Sequence, residues 1–134
     1  DVVFGHGDYG VGNILCEDGS GEVLGIIDWD TCVEWEFPLV DYFNLLLQKY
    51  RGDYNVGVDG ALEICEAEIA SRKGIMADVI DFYESEYSIS IDMVPGFLYL
   101  AVVRLIRRAL PYRDDRAMND AEFNALKYIV RSTT

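Results

Sequence analysis

The stretch that decides the fold begins a few residues into the chain and reads His6-Gly7-Asp8-Tyr9-Gly10-Val11-Gly12-Asn13-Ile14-Leu15. It places an acid, Asp8, five residues before an amide, Asn13, and a second acid follows at Asp28 after a predicted turn. The glycines between Asp8 and Asn13 permit tight backbone turns, so both side chains can face one pocket. The tripeptide His6-Gly7-Asp8 alone would be weak evidence for a functional site. The joint order of Asp8, Asn13, a turn and Asp28 is much more specific.

A β-hairpin is predicted directly after this stretch. Short apolar runs at residues 13–16 and 22–27 flank residues 17–21, a turn rich in Asp, Gly and Ser. Paired strands lie about 5 Å apart, so a hairpin that leaves at Asn13 and returns at Asp28 brings those two side chains together. A short strand over residues 2–4 leads into His6-Gly7-Asp8.

The pattern changes to that of helices after Trp35. Pro38 suits the first turn of a helix, and apolar residues then recur at three- and four-residue steps. Further helices are predicted over residues 59–72, 75–87 and 95–110, with a last one capped by Asn119 or Asp120 and continuing through Ile129. Residues 52–60 and 112–118 are predicted to be exposed connections. The expected fold class is α+β, mainly α, in one domain over residues 1–134, with catalytic loop and hairpin in 1–30 and helices in 37–134.

Composition excludes several classes of function. The 134 residues are 51% apolar, which is enough for a core, and 24 acidic against 11 basic side chains give a net charge of −13. Such a charge repels phosphate backbones and anionic lipids, so neither nucleic acid nor a membrane is expected as a partner. A cationic partner is favoured, although an acidic surface that aids solubility is the commoner explanation.

The cysteines and the apolar runs indicate a cytoplasmic protein. Cys16, Cys32 and Cys65 are odd in number, widely spaced and without a metal-ligand pattern, so we expect reduced thiols. No apolar run approaches the roughly 20 residues that a membrane-spanning helix needs, and no signal peptide is recognisable.

The residue types at the opening stretch suit phosphoryl transfer. That reaction needs a carboxylate that orients the attacking hydroxyl and accepts its proton, and oxygen ligands for magnesium. Asp8 can supply the base, and Asn13 and Asp28 can supply the ligands. The alternative for these residues is simple turn formation, since Asp and Asn both favour turns.

Other residues near the motif have weaker interpretations. His6 is expected to support the loop by packing or hydrogen bonding rather than to carry a proton. Asp30 is either a second metal contact or a cap for a turn over residues 31–36, and Trp29 is expected to fill the core beneath the site. Glu34 and Glu36 are either surface charges or the lining of a pocket for a cationic substrate.

Residues 6–15, together with 25–30 and 38–41, resemble the aminoglycoside phosphotransferase and choline kinase group within the protein-kinase-like fold. The resemblance implies that Asp8 is the catalytic base, that Asn13 and Asp28 bind Mg²⁺, and that Asp41 braces the catalytic loop. It also implies ATP as co-substrate. Tyr9-Gly10-Val11-Gly12 stands where family members often carry Leu-His-Pro, which leaves the subfamily and the substrate open.

The resemblance implies a C-terminal catalytic lobe only. Complete family members have an N-terminal, nucleotide-clamping lobe with a phosphate-contacting lysine and an adenine-binding hinge, and we expect that lobe to be absent here. The expected function is ATP-dependent phosphorylation of a hydroxyl on a small molecule, aminoglycoside-like or amino-alcohol-like, with this lobe inactive alone.

Two alternatives remain. One is a non-catalytic kinase-like module for binding or assembly. For either function, a homodimer through the surface exposed by the missing lobe is a further expectation. The other, an acidic metal-dependent hydrolase, ranks last, because it would need more carboxylates and histidines around the metal and His6 is the single histidine.

Overall fold

The computed structural model describes residues 2–112 and 118–133. The strands are β1 (Val3–Gly5), β2 (Ile14–Cys16), β3 (Val23–Ile26) and β4 (Val33–Glu36). They form two antiparallel pairs, β1 with β4 and β2 with β3. Most of the other described residues are helical, so the predicted class, α+β and mainly α, is confirmed.

The predicted hairpin is present as β2–β3. Ile14 lies opposite Ile26, and the register shifts once between Leu15 and Cys16. The Glu17 amide donates to the Glu22 carbonyl at 2.8 Å and closes the turn. The hairpin therefore begins directly after Asn13 and delivers the chain back towards Asp28.

Strand β4 replaces the turn that the sequence predicted over residues 31–36. It pairs with β1, with Val3 opposite Glu36 and Gly5 opposite Val33. Its fully buried residue is Glu36, whereas Trp35 is exposed, so the strand lacks the apolar alternation that would have indicated it. A side chain at position 5 would place its Cβ 2.7 Å from the Glu36 Cβ, which explains why glycine stands there.

The five helices of the described residues lie close to their predicted positions. They are α1 (Val40–Tyr54), α2 (Val58–Ser71), α3 (Gly74–Tyr87), α4 (Val94–Ala109) and α5 (Asp120–Thr133). Residues 52–60 are mostly helical rather than a long exposed connection, since only 55–57 separate α1 from α2. The predicted connection at 112–118 lies largely outside the described residues.

Helix α5 begins with a capping box. Asn119 Oδ1 accepts from the Glu122 amide at 2.9 Å, and Glu122 Oε2 accepts from the Asn119 amide at 3.0 Å. Reciprocal bonds of this kind satisfy two amide donors that the first turn of a helix leaves open. Of the two predicted caps, Asn119 is therefore the one used.

The core lies among the helices. Helix α1 contacts α2 and α4, and α5 packs mainly on α2. The largest fully buried apolar side chains are Phe43, Leu47, Leu62, Met76, Ile80 and Leu98. The strands lie at the edge of this core, and several of their apolar side chains are exposed, among them Phe4, Leu24 and Trp35.

In the described part of the chain, no single helix combines the length and apolar character needed to cross a membrane. One bent pair, Met76–Tyr87 with Ile91–Ala109, meets the length and composition criteria together, across a bend of 115°.

Candidate active site

His6 ties the end of β1 to the end of the hairpin. It is 3% exposed, and its ring Nε2 lies 2.8 Å from the Ile27 carbonyl oxygen. The Asp8 amide donates to the other ring nitrogen, Nδ1, at 3.3 Å. Because Nδ1 accepts, Nε2 carries the proton and donates to Ile27. Both ring nitrogens are thereby used in holding the loop.

Trp29 covers His6 from the solvent side. The two ring centroids are 4.5 Å apart, and Trp29 also stacks on Phe4 at 6.0 Å. Trp29 is 44% exposed, so the expectation that it fills the core beneath the site is wrong.

The side chain of Asp41, in the first turn of α1, binds the backbone of the loop. One carboxylate oxygen accepts from the His6 amide at 2.5 Å and the other from the Gly7 amide at 3.1 Å. Gly7 has φ +80°, and a Cβ there would lie 2.2 Å from the Thr31 carbonyl oxygen, so only glycine fits. Asp41 and Gly7 together fix the backbone that carries Asp8, which is the contact that a bracing role requires.

Asn13 folds back onto the same loop. Its side-chain Nδ2 donates to the Asp8 carbonyl oxygen at 2.9 Å, and its backbone N–H donates to the Gly10 carbonyl oxygen at 3.0 Å. Since Nδ2 is used by the loop, the side-chain Oδ1 is the atom with which Asn13 could bind a cation.

Asp28 comes directly after Ile27, which is hydrogen-bonded to the backbone of Asn13. The Ile27 amide donates to the Asn13 carbonyl oxygen at 3.0 Å, which continues the hairpin register to the residue before Asp28. Asp28 has φ 65° and ψ 55°, a left-handed conformation that aspartate tolerates better than most residues. Its exposed carboxylate makes no capping bond to the 3₁₀ turn Trp29–Thr31. Asp30 lies within that turn, and the turn over residues 31–36 that it was expected to cap is largely replaced by strand β4.

Asp8 forms an ion pair that sequence reasoning missed. Its Oδ2 lies 2.8 Å from Arg108 Nη2, near the end of α4, and Arg108 Nη1 donates to the Gly7 carbonyl oxygen. The guanidinium therefore holds both the loop backbone and the carboxylate. The signal in the sequence was the run of arginines at 104, 107 and 108, which was used only to mark the end of an apolar stretch.

Glu34 and Glu36 lie in different environments on β4. Glu36 is 1% exposed, accepts from the Phe37 amide at 2.7 Å and pairs with Arg104. A carboxylate so buried and paired does not fit the hypothesis of a substrate-lining residue, whereas Glu34 is exposed.

Two cavities border the loop that carries Asp8. One of about 430 Å³ begins at Tyr9 and is lined by aromatic and acidic side chains: Tyr9, Asp41, Tyr42, Asp78, Val79, Phe82 and Tyr83. The other, of about 580 Å³, begins at Gly7 and is lined by Gly7, Thr31, Val33, Arg104, Arg107, Arg108 and Pro111. We call them the aromatic cavity and the arginine groove.

The two side-chain oxygens at the hairpin suit Mg²⁺, which takes its other ligands from phosphates and water. They are too few for a metal ion that is bound by protein side chains alone. The described residues contain no cluster of three or more His, Cys, Asp or Glu side chains able to hold a metal ion. Mg²⁺ is commonly bound by one or two side-chain oxygens together with substrate phosphates and water. The Asn13 amide oxygen and the Asp28 carboxylate are such donors.

Residues 1–74 match the model of the phosphotransferase enzyme family, APH. The match spans more than half of the chain and includes Asp8, Asn13, Asp28 and Asp41. The chain therefore belongs to the phosphotransferase enzyme family, and the resemblance to aminoglycoside phosphotransferases and choline kinases is confirmed at the level of the family. No curated protein and no solved structure matches the chain significantly. Arg108 and helices α4 and α5 lie beyond the matched residues.

Proposed function

We propose that the protein transfers the γ-phosphoryl group of ATP to a hydroxyl of a small molecule, as the C-terminal lobe of a kinase-like enzyme. The observation that carries the proposal is the arrangement of Asp8, Asn13 and Asp28 on one loop and hairpin, which His6 and Asp41 hold together. Positioning of this kind supplies much of the rate in phosphoryl transfer.

Each residue has a distinct role in the proposed reaction. Asp8 orients the acceptor hydroxyl and takes its proton, while Asn13 and Asp28 hold Mg²⁺. The ion, when bound, neutralises charge on the nucleotide phosphates. His6 keeps the loop in place rather than moving a proton, since both of its ring nitrogens are engaged.

The aromatic cavity supports a cationic group on the acceptor. Tyr9, next to Asp8, lines it, and so do Phe82 and the exposed Asp78. Aromatic faces and a carboxylate both attract an ammonium group. The acidic character of the chain favours the same choice, so an amino-alcohol or an aminoglycoside is the proposed acceptor class.

A second lobe would complete the enzyme. Phe4, Leu24 and Trp35, on strands β1, β3 and β4, are 59%, 66% and 73% exposed, and exposed apolar side chains that form one continuous patch usually mark an interface. If a nucleotide-clamping lobe covers it, residues 1–134 alone would be inactive. The alternative proposal is that a second copy of the chain covers the same surface and forms a homodimer.

A non-catalytic module in the cytoplasm is the second candidate. The observation that favours it is the ion pair between Asp8 and Arg108, because a paired carboxylate is less available to a substrate hydroxyl. Transfer activity that depends on Asp8 would exclude this candidate.

The test is Asp8→Asn in the full-length protein, with Asp18→Asn in the exposed hairpin turn as the matched control. ATP-dependent transfer to a panel of amino-alcohols and aminoglycosides would be measured, with circular dichroism to verify the fold. Loss of a general base costs about 10²- to 10⁴-fold in rate. We therefore expect at least about a 100-fold loss in Asp8→Asn and none in the control. A folded Asp8→Asn protein with the parent rate would refute the proposed base.

A further inference from the structure

Three arginines of α4 face the arginine groove. Arg107 and Arg108 follow Arg104 by three and four residues, a spacing that places each of them next to Arg104 on the helix surface. The whole chain has 11 basic residues against 24 acidic ones, so this concentration of positive charge runs against its composition. The groove therefore differs in charge from the rest of the molecule.

The three guanidinium groups are not equally neutralised. Arg104 pairs with the buried Glu36, and Arg108 pairs with Asp8. Arg107 is exposed and forms no ion pair with any residue in the described ranges. Among the described residues, none of those that line the groove is acidic.

The arginines also repel one another. Burial lowers the pKa of Arg104 below its ordinary value, and the charge of Arg107 lowers it further. An anion in the groove would relieve that repulsion and supply Arg107 with a partner, through charge-assisted hydrogen bonds that are stronger than neutral ones.

We propose that the arginine groove binds an anionic group, carboxylate or phosphate, of the acceptor molecule, with Arg107 as the principal contact. This rests on the proposed function, because Gly7 lines the groove and the next residue is Asp8, so an acceptor held here has its hydroxyl near the base. With the cationic group proposed above, the acceptor would carry charges of both signs.

The groove is separate from the proposed nucleotide site. Neither Asn13 nor Asp28 lines it, whereas Thr31, Val33 and Pro111 do. The anionic group is therefore assigned to the acceptor rather than to the nucleotide phosphates.

The experiment titrates the full-length protein with inorganic phosphate and, separately, acetate, and follows the arginine side-chain signals by NMR. Arg107→Gln removes the charge, Arg107→Lys keeps it, and Arg51→Gln on the exposed end of α1 is the matched control. One charged hydrogen bond corresponds to about tenfold in affinity. We expect phosphate to bind about tenfold more weakly to Arg107→Gln, with Arg107→Lys and Arg51→Gln close to the parent. Asp8→Asn should bind phosphate more tightly, because it frees Arg108.

Two results would overturn the inference. Equal phosphate affinity of the parent, Arg107→Gln and Arg51→Gln would mean that the groove is no anion site. Displacement of phosphate by saturating Mg–ADP would assign the groove to the nucleotide instead of the acceptor. Neither readout requires transfer, so failure here is distinguishable from failure of the proposed reaction, which would appear as Asp8-independent activity.

Discussion

Asp41 acts on the site through the backbone of the loop rather than through a ligand. Its carboxylate accepts from the amides of His6 and Gly7, and these two residues lead directly into Asp8. An amide side chain at position 41 could accept only with its single oxygen. One of the two N–H groups would then lack a partner in a partly buried place.

We expect Asp41→Asn to lower the free energy of unfolding by about 1–3 kcal/mol, the cost of an unsatisfied buried donor. It should also lower the transfer rate, because Asp8 loses its fixed position. Urea unfolding and steady-state kinetics would measure both effects. Asp53→Asn is the control, since Asp53 makes an exposed pair with Lys49 within α1, and such pairs contribute little. Equal stability and rate in the two variants would contradict the bracing role.

The residues of the site differ in how far they were predictable. Asp8, Asn13 and Asp28 were predicted because their order along the chain carries the pattern, and Asp41 because the resemblance supplied a position for it. Arg108 was missed since its contact with Gly7 spans 101 residues, and no local pattern indicates which helix end meets a given loop.

At the scale of elements, the Glu36–Arg104 pair joins β4 to α4. Glu36 is 1% exposed, and the Arg104 side chain is about a third exposed at 32%. Arg104→Met would leave a buried carboxylate without its cation, which costs about 3–5 kcal/mol in comparable cases. We expect a loss of about 3 kcal/mol in the free energy of unfolding.

The double variant Glu36→Gln with Arg104→Met separates the pair from simple packing. Removing both charges should restore part of the lost stability, measured by urea unfolding as a double-mutant cycle. Arg107→Met, which removes an exposed arginine of the same helix turn and leaves the Glu36–Arg104 pair intact, should lose no stability relative to the parent. If Arg104→Met and Arg107→Met have the same free energy of unfolding, the Glu36–Arg104 pair does not stabilise the contact between β4 and α4.

The helices were predictable and β4 was not, for one physical reason. Each helix buries a stripe of apolar side chains, so the spacing of those residues reveals it, as with Phe43 and Leu47 in α1. Strand β4 buries a glutamate and exposes a tryptophan, because its pairing with β1 and its ion pair to α4 determine its position. Both causes are long-range.

At the scale of the whole molecule, several buried or partly buried weak acids of the helices affect its stability at high pH. Burial is the largest cause that raises the pKa of Cys65, Tyr42 and Tyr99, each to about 12. The folded state thus holds these protons more tightly than the unfolded state, whose groups titrate near 9 and 10. Their contribution is present below about pH 9 and is lost as the pH rises towards 12.

We therefore expect the thermal midpoint to be steady near neutral pH and to fall progressively above about pH 9. Tyrosine absorbance in the folded protein should titrate later than in the denatured chain. Cys65→Ala, which removes one of these acids, should show a shallower fall relative to its own midpoint at neutral pH. A midpoint unchanged between pH 8 and pH 11 would show that the buried acids are not coupled to folding.

The apolar composition predicts that the chain has a core, but it does not predict which apolar residues are buried in it. Phe43 and Leu98 are fully buried, whereas Leu24 and Trp35 are largely exposed, although all four are of similar character. Spacing identifies which residues share a face, but what covers that face depends on elements elsewhere in the chain or beyond it.

The contact between Arg108 and the loop has a consequence for synthesis. A ribosome makes residues 6–28 before α4, and the guanidinium that holds Gly7 and Asp8 emerges 101 residues after Gly7. The loop therefore reaches its final arrangement only after α4 has left the ribosome and docked. A nascent chain that stops before α4 has every acid of the motif and still lacks the clamp, so the order of translation itself delays completion of the site.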